Sequence, residues 1–260
     1  PAFGEALQRL HRPQVPQDAA LEGLAWRRLA YDELLAGQLA LLLVRARTVK
    51  VSGVARAGTG ELQAAITTAL PFALTGAQRR SAAEIGADLS SGERMVRLLQ
   101  GDVGSGKTVV ALLAMAQVAE SGGQSALMAP TEILARQHFK TLSEYASAAG
   151  LKVALLTGKD RQSERRKVRE GLANGEIDIA VGTHALFQQD VAFRSLGLVV
   201  VDEQHRFGVH QRLALTAKGD RPDMLVMTAT PIPRTLLLTL YGDMDVSKLD
   251  EKPPGRKPIA

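Results

Sequence analysis

From Met95 onward the chain alternates short aliphatic runs with helix-like stretches, and this alternation constrains its fold more than any other feature. The runs are "MVRLLQ", "SALMAP", "KVALLTG", "IDIAVG", "LGLVVVD" and "MLVMTAT", separated by segments such as "KTVVALLAMAQVAE" and "EILARQHFKTLSEYASAAG". Runs of this length, apolar at nearly every position, suit strands buried on both faces, and parallel strands joined by helical crossovers need such double cover. The pattern predicts an α/β fold with a mostly parallel sheet between two layers of helices. With 45% of its 260 residues apolar, the chain has the material for that core. Sites in such folds gather at the carboxyl ends of the strands, where the unusual polar clusters of this sequence fall.

The first cluster is "GDVGSGKT", Gly101 to Thr108, a complete G-x-x-x-x-G-K-[ST] between a strand and an Ala/Leu/Val helix. Gly101, Gly104 and Gly106 let the backbone turn sharply, and with Asp102, Val103 and Ser105 they aim successive N–H groups at phosphate oxygens. The amino terminus of the following helix adds positive potential. Lys107 reaches the β- and γ-phosphates of ATP, and Thr108 offers its hydroxyl to Mg2+.

A second cluster closes the buried run in "VVVDEQHRFG". Four polar groups at the end of such a strand are expensive to desolvate without partners. A phosphate loop explains the first two. Asp202 emerges at the same edge of the sheet and holds Mg2+ directly or through water, while Glu203, pointing elsewhere, orients and deprotonates the water that attacks the γ-phosphate. Gln204 and His205 are not needed by the metal; both can bond a neighbouring loop and report the γ-phosphate, and His205 can equally be a structural histidine satisfied by backbone.

Bulk properties exclude other chemistries. The net charge of +5 comes from residues of mixed sign and does not by itself establish an anionic partner. With no cysteine there is no disulfide, thiolate zinc site or thiol nucleophile, and any metal is held by oxygen. No run approaches the ~18 apolar residues of a membrane span and the amino terminus is not a signal peptide, so a cytoplasmic protein with no membrane partner is expected. Residues 1 to about 50 read as helical, with Leu24, Leu29, Leu34, Leu35, Leu39 and Leu42 near one face. Glycines in "VKVSGVARAGTGEL" then break the pattern. The missing initial methionine and the linker-like "EKPPGRKPIA" make a fragment the expectation.

"GDVGSGKT", "APTEILARQH", "VGTHAL", "DEQHRFGVHQR" and "TATPIPRT" stand in the order and spacing of the first motor lobe of superfamily 2 helicases. Taken together, these motifs resemble the RecG family, ATP-dependent helicases acting on branched DNA. The resemblance covers about residues 70–258, and Mfd-type translocases, which carry an "HRFGV"-like run, are the nearest alternative. It implies a P-loop NTPase (RecA-like) fold preceded by a helical segment: residues 1–70 as helices and linker, 71–250 as the ATP-binding lobe, and 251–260 as a linker toward a second RecA-like lobe. A wedge domain would precede the lobe. The cation that completes catalysis is then expected from the second lobe, with neither Arg212 nor Arg234 in that role, and the 260 residues alone should be nearly inactive.

Further roles follow from the same resemblance. In "PFALTGAQ", Gln78 pairs with adenine while Phe72 and Thr75 position the base; the same Thr75 and Gln78 also form a helix capping box, and both readings can hold. Three strand ends offer N–H groups to DNA phosphates: the one that closes in Pro130 and opens a helix at Thr131 and Glu132, the one at Thr157 and Gly158, and the one at Gly182, Thr183 and His184, although each taken singly is an ordinary cap. Thr228, Ala229 and Thr230 couple hydrolysis to strand movement. Arg161, Arg165, Arg166, Lys167 and Arg169 tempt as a DNA face, but Asp160, Glu164 and Glu170 between them favour a solvated, salt-bridged helix. A P-loop enzyme that ignores nucleic acid would explain the first two clusters but not "TATPIPR".

Overall fold

The computed structural model describes residues 1–48, 52–188, 190–202, 219, 221–230 and 244–251, which fall into two compact units, residues 1–48 and the remainder. In the first, α1 (Phe3–His11) packs on α2 (Leu24–Thr48), burying Ala6 and Ala25. The leucine pattern does give a helix, yet Leu24, Leu34, Leu39 and Leu42 are 51–66% exposed. A nine-residue helix spans about 13 Å and cannot cover one of 25 residues.

Among the described residues, the second unit is built on seven strands, all parallel, in the order β3-β4-β2-β5-β6-β1-β7. They are β1 (Val96–Gly101), β2 (Gln124–Met128), β3 (Val153–Leu156), β4 (Ile179–Gly182), β5 (Leu196–Asp202), β6 (Asp223–Thr228) and β7 (Asp245–Leu249). Alternation along the strands divides the core. Leu127, Leu198 and Val200 face one side, with Ile66, Ile85, Leu112 and Met115, while Ala126, Met128, Val199 and Val201 face the other, with Leu172 and Leu186. The first side is supplied by α3 (Glu61–Ala69), α4 (Gly76–Ser90), α5 (Lys107–Glu120) and α6 (Glu132–Ala146), the second by α7 (Gln162–Asn174) and the 3-10 turn His184–Phe187. This is the three-layer arrangement that the alternation predicts.

Two features differ from the sequence reading. The run at β7 escapes it because Asp245, Ser247 and Lys248 interrupt the apolar pattern, as an edge strand with one partner permits. Residues 61–69, assigned with the preceding linker, belong to the sheet unit: Ile66 is fully buried, Gln63 Nε2 donates to Leu113 O at 2.9 Å, and the Glu120 carboxylate accepts the N–H groups of Gly60 and Leu62 at 2.8 and 2.5 Å. Glu120 thus ties the start of α3 to the end of α5, and the unit begins before the expected boundary at residue 70.

Candidate functional site

Because every strand runs the same way, the carboxyl ends of β1 to β6 share one edge of the sheet. The loop after β1 turns through left-handed backbone at Gly104 (φ 77°) and Gly106 (φ 88°) before α5 begins at Lys107. A Cβ at Gly101 would lie 2.6 Å from Ser105 Oγ and 2.8 Å from Leu249 Cβ, so the loop needs glycine there for space rather than for dihedral freedom. Lys107 Nζ donates to the carbonyls of Gly101 (2.6 Å) and Asp102 (3.0 Å), arching over the loop.

Gln78 packs against this loop. Its Nε2 donates to Ser105 O at 2.8 Å, and its Oε1 accepts the Thr75 N–H at 2.9 Å. Thr75 Oγ1 in turn accepts the Gln78 N–H at 3.2 Å, completing the capping box of α4. At 2% exposure, Gln78 is a buried strut between the α4 cap and the glycine loop. Its amide still has one N–H and one lone pair beyond these bonds. Phe72, by contrast, is 42% exposed and meets Tyr145 edge-on, with ring centroids 6.4 Å apart.

Asp202 ends β5 at 8% exposure, and its Oδ2 lies 2.7 Å from His138 Nε2 on α6. The sequence reading does not single out His138, although a signal exists: with Ala135, Leu142 and Ala146 it lies on the buried face of α6 at helical spacing. Gln100 was missed for a similar reason. It is the last residue of β1 before the glycines, 9% exposed, and its Nε2 donates to Thr230 O at 3.3 Å, joining β1 to the turn after β6. Within that turn, Thr228 and Thr230 bring their hydroxyls to 2.8 Å, and the Thr230 N–H donates to Thr228 Oγ1 at 3.2 Å. Glu203, Gln204 and His205 lie outside the described residues, as do Arg212 and Arg234.

The other strand ends are brought together but are less open than expected. The Ala129 N–H donates to Gly182 O at 2.9 Å, and a Cβ on Gly158 would lie 3.8 Å from Glu132 Oε1, so the ends of β2, β3 and β4 adjoin. Thr157 and Thr183 are buried, at 0% and 3%, whereas Thr131, Gly158 and His184 are exposed. Two of the N–H groups are satisfied locally: Thr131 Oγ1 accepts from Leu134 N at 3.3 Å, and Asp160 Oδ2 accepts from Thr157 N at 2.6 Å. Burial raises the Asp160 pKa, but hydrogen bonds from Thr157 and Arg136 overcome this and hold the carboxyl below its usual range. On α7, Arg166 pairs with Glu170 at 2.7 Å, the one interleaved pair seen among the described residues, whereas Arg169 pairs with Asp190 and Arg165 donates to Gln188 Oε1 at 2.6 Å, both partners lying beyond the helix.

The donors present fit a magnesium nucleotide. Among the described residues no group of three His, Cys, Asp or Glu can hold a metal by itself. What this edge offers instead is the Thr108 hydroxyl and the Asp202 carboxylate, oxygen ligands suited to Mg2+, which takes one or two protein groups and completes its shell with phosphate and water. The loop keeps this course only with Gly101 and Gly106, since an added Cβ would meet Ser105 and Leu249 at the first and the Gln78 amide at the second.

Comparison with known proteins agrees with this geometry. The DEAD/DEAH box helicase family matches residues 75–238. The ATP-dependent DNA helicases RecG of Streptococcus pneumoniae and Bacillus subtilis are each 50% identical to the chain, over 98% and 100% of its length. The chain spans only 37% and 38% of those proteins. A solved structure of RecG bound to a three-way DNA junction superposes with a TM-score of 0.80 at 45% identity, covering 97% of this chain and 36% of that one. Motif order, sheet topology and these matches agree: the chain belongs to the DEAD/DEAH box helicase family.

Proposed function

We propose that this chain is the first motor lobe of a RecG-type ATP-dependent DNA helicase or translocase, which couples Mg-ATP hydrolysis to the remodelling of forks and junctions in recombination and repair. The observation that carries the reading is that the phosphate loop of β1, the acid of β5, the threonine turn of β6 and the adjoining ends of β2, β3 and β4 all leave one edge of one parallel sheet. The loop N–H groups and the start of α5 bind phosphate oxygens, and Lys107 moves from carbonyl acceptors to the β- and γ-phosphates. Phe72 stacks on the adenine, and Gln78 uses its remaining donor and acceptor on the base edge. Asp202 and Thr108 would hold Mg2+, which when bound would supply charge neutralisation at the transferred phosphoryl group. Glu203 takes the proton of the attacking water.

DNA phosphates meet the exposed members of the strand-end track, Thr131, Gly158 and His184. The Thr228–Thr230 turn, tied to β1 through Gln100, relays the state of the loop toward them. A second RecA-like lobe and a wedge domain of the full-length protein complete the motor. Among the described residues no helix is long and apolar enough to cross a membrane. The test is ATP turnover of the full-length protein without DNA, with linear duplex and with a fork. Preferential stimulation by the fork is the expected result. Equal stimulation by linear duplex would favour an Mfd-like translocase, and indifference to DNA would exclude the helicase reading.

A further inference from the structure

We infer that His138 is a positioning residue for the Asp202 carboxylate, fixing which of its two oxygens serves the metal; the inference rests on the ATP-hydrolysing reading proposed above. An ionised carboxylate only accepts hydrogen bonds, so the 2.7 Å contact requires the proton to be on His138 Nε2 and fixes the role of that ring nitrogen. The two side chains are 13% and 11% exposed, so water competes poorly for the bond. Oδ2 is thereby engaged, and Oδ1 is the oxygen left for the metal or its bound water.

The support behind His138 is rigid. Ala135, Leu142 and Ala146 are fully buried on the same face of α6 and seat that helix against the sheet. A polar residue interrupts this apolar face where α6 passes the end of β5. Without the imidazole, the carboxylate could rotate about its last torsion and present either oxygen. A partner that orients a ligand in this way typically changes metal affinity by about 10–100-fold when removed.

The experiment uses the full-length protein with Mn2+ as a paramagnetic stand-in for Mg2+ and a non-hydrolysable ATP analogue. Mn2+ affinity is read by electron paramagnetic resonance, and the affinity for the analogue is measured separately in EDTA. His138→Leu fills the space without a donor, and His138→Ala is a second donor-free variant in case the first does not fold. His138→Gln returns an N–H at similar reach. The donor-free variants should bind Mn2+ about tenfold or more weakly while metal-free nucleotide affinity stays within about twofold, and His138→Gln should recover most of the loss. A folded donor-free variant with wild-type Mn2+ affinity would overturn the inference. A parallel fall in metal-free affinity, unrelieved in His138→Gln, would also overturn it, because His138 would then be a general structural support. Wild-type protein whose nucleotide does not strengthen Mn2+ binding at all would instead remove the ATPase reading itself, and the inference with it.

Discussion

A Cβ at Gly106 would collide with Nε2 of Gln78, the atom whose hydrogen bond to Ser105 O holds the glycine loop against the cap of α4. Gly106 also has a φ of 88°, where an L-residue pays about 1–2 kcal/mol. Gly106→Ala should therefore weaken ATP binding at least about tenfold and lower stability by roughly 1–3 kcal/mol. Gln78→Ala removes the obstacle but also the capping box, at a cost of about 1 kcal/mol. In a double-mutant cycle read by urea unfolding, the two changes together should cost less than their sum. Strict additivity would mean that the contact does not constrain the loop.

Lys107→Ala should reduce ATP turnover by about 10²–10³ or more while leaving the fold intact, because it removes the ammonium from the phosphates and truncates a half-buried side chain that lies outside the apolar core. Circular dichroism with a steady-state ATPase assay checks both halves. Wild-type turnover in a folded Lys107→Ala protein would reject the phosphate-loop assignment.

Glu203→Gln should separate binding from turnover. The amide fills the same space but cannot take a proton, so nucleotide affinity should stay near wild type while kcat falls by about 10² or more. Equal losses in both would make Glu203 a structural acid.

Stability should depend on pH through Asp223, at the start of β6. Burial pushes its carboxyl up to about 6, opposed only in part by the Met95 N–H and by Arg56, whose Nε lies 3.5 Å away. A carboxyl that holds its proton more tightly when folded contributes most below its unfolded value, and that contribution is lost as pH rises through the folded one. Between pH 3.8 and about 6, wild-type protein should lose on the order of 2–3 kcal/mol relative to Asp223→Asn. Unfolding midpoints of both proteins across that range would show it. Parallel curves would mean that Asp223 titrates normally.

The 260-residue chain alone should hydrolyse ATP about 10³-fold or more slowly than protein carrying the proposed second lobe, since a cation supplied in that way contributes roughly 10³–10⁵ to the rate. Turnover measured with and without forked DNA decides this. A rate equal to that of the full-length protein would place the complete catalytic set within these residues.

Legibility in the sequence tracked sequence separation. The glycine loop, the Thr75–Gln78 capping box and the Thr131 cap each depend on residues within one or two turns of chain, and the structure places all three as the pattern predicts. The apolar runs were readable because strands covered on both faces carry almost no polar residues; β7 was not, because an edge strand tolerates them. The strand-end track was readable only as a set of positions. Whether Thr157 turns inward, or Asp160 takes its N–H, depends on side-chain packing that no spacing encodes.

Periodicity and local hydrogen-bonding chemistry in the sequence were therefore enough to determine a parallel α/β fold, a glycine turn between β1 and α5 and an acid at the end of a buried strand. Only the tertiary structure decided which distant residues serve them: Gln78 with Ser105, Gln100 with Thr230, His138 with Asp202 and Arg56 with Asp223. Those pairings follow from strand order and from how each helix rotates onto the sheet. Both are settled by burial of apolar surface summed over the whole core, and no stretch of sequence near either partner carries that sum.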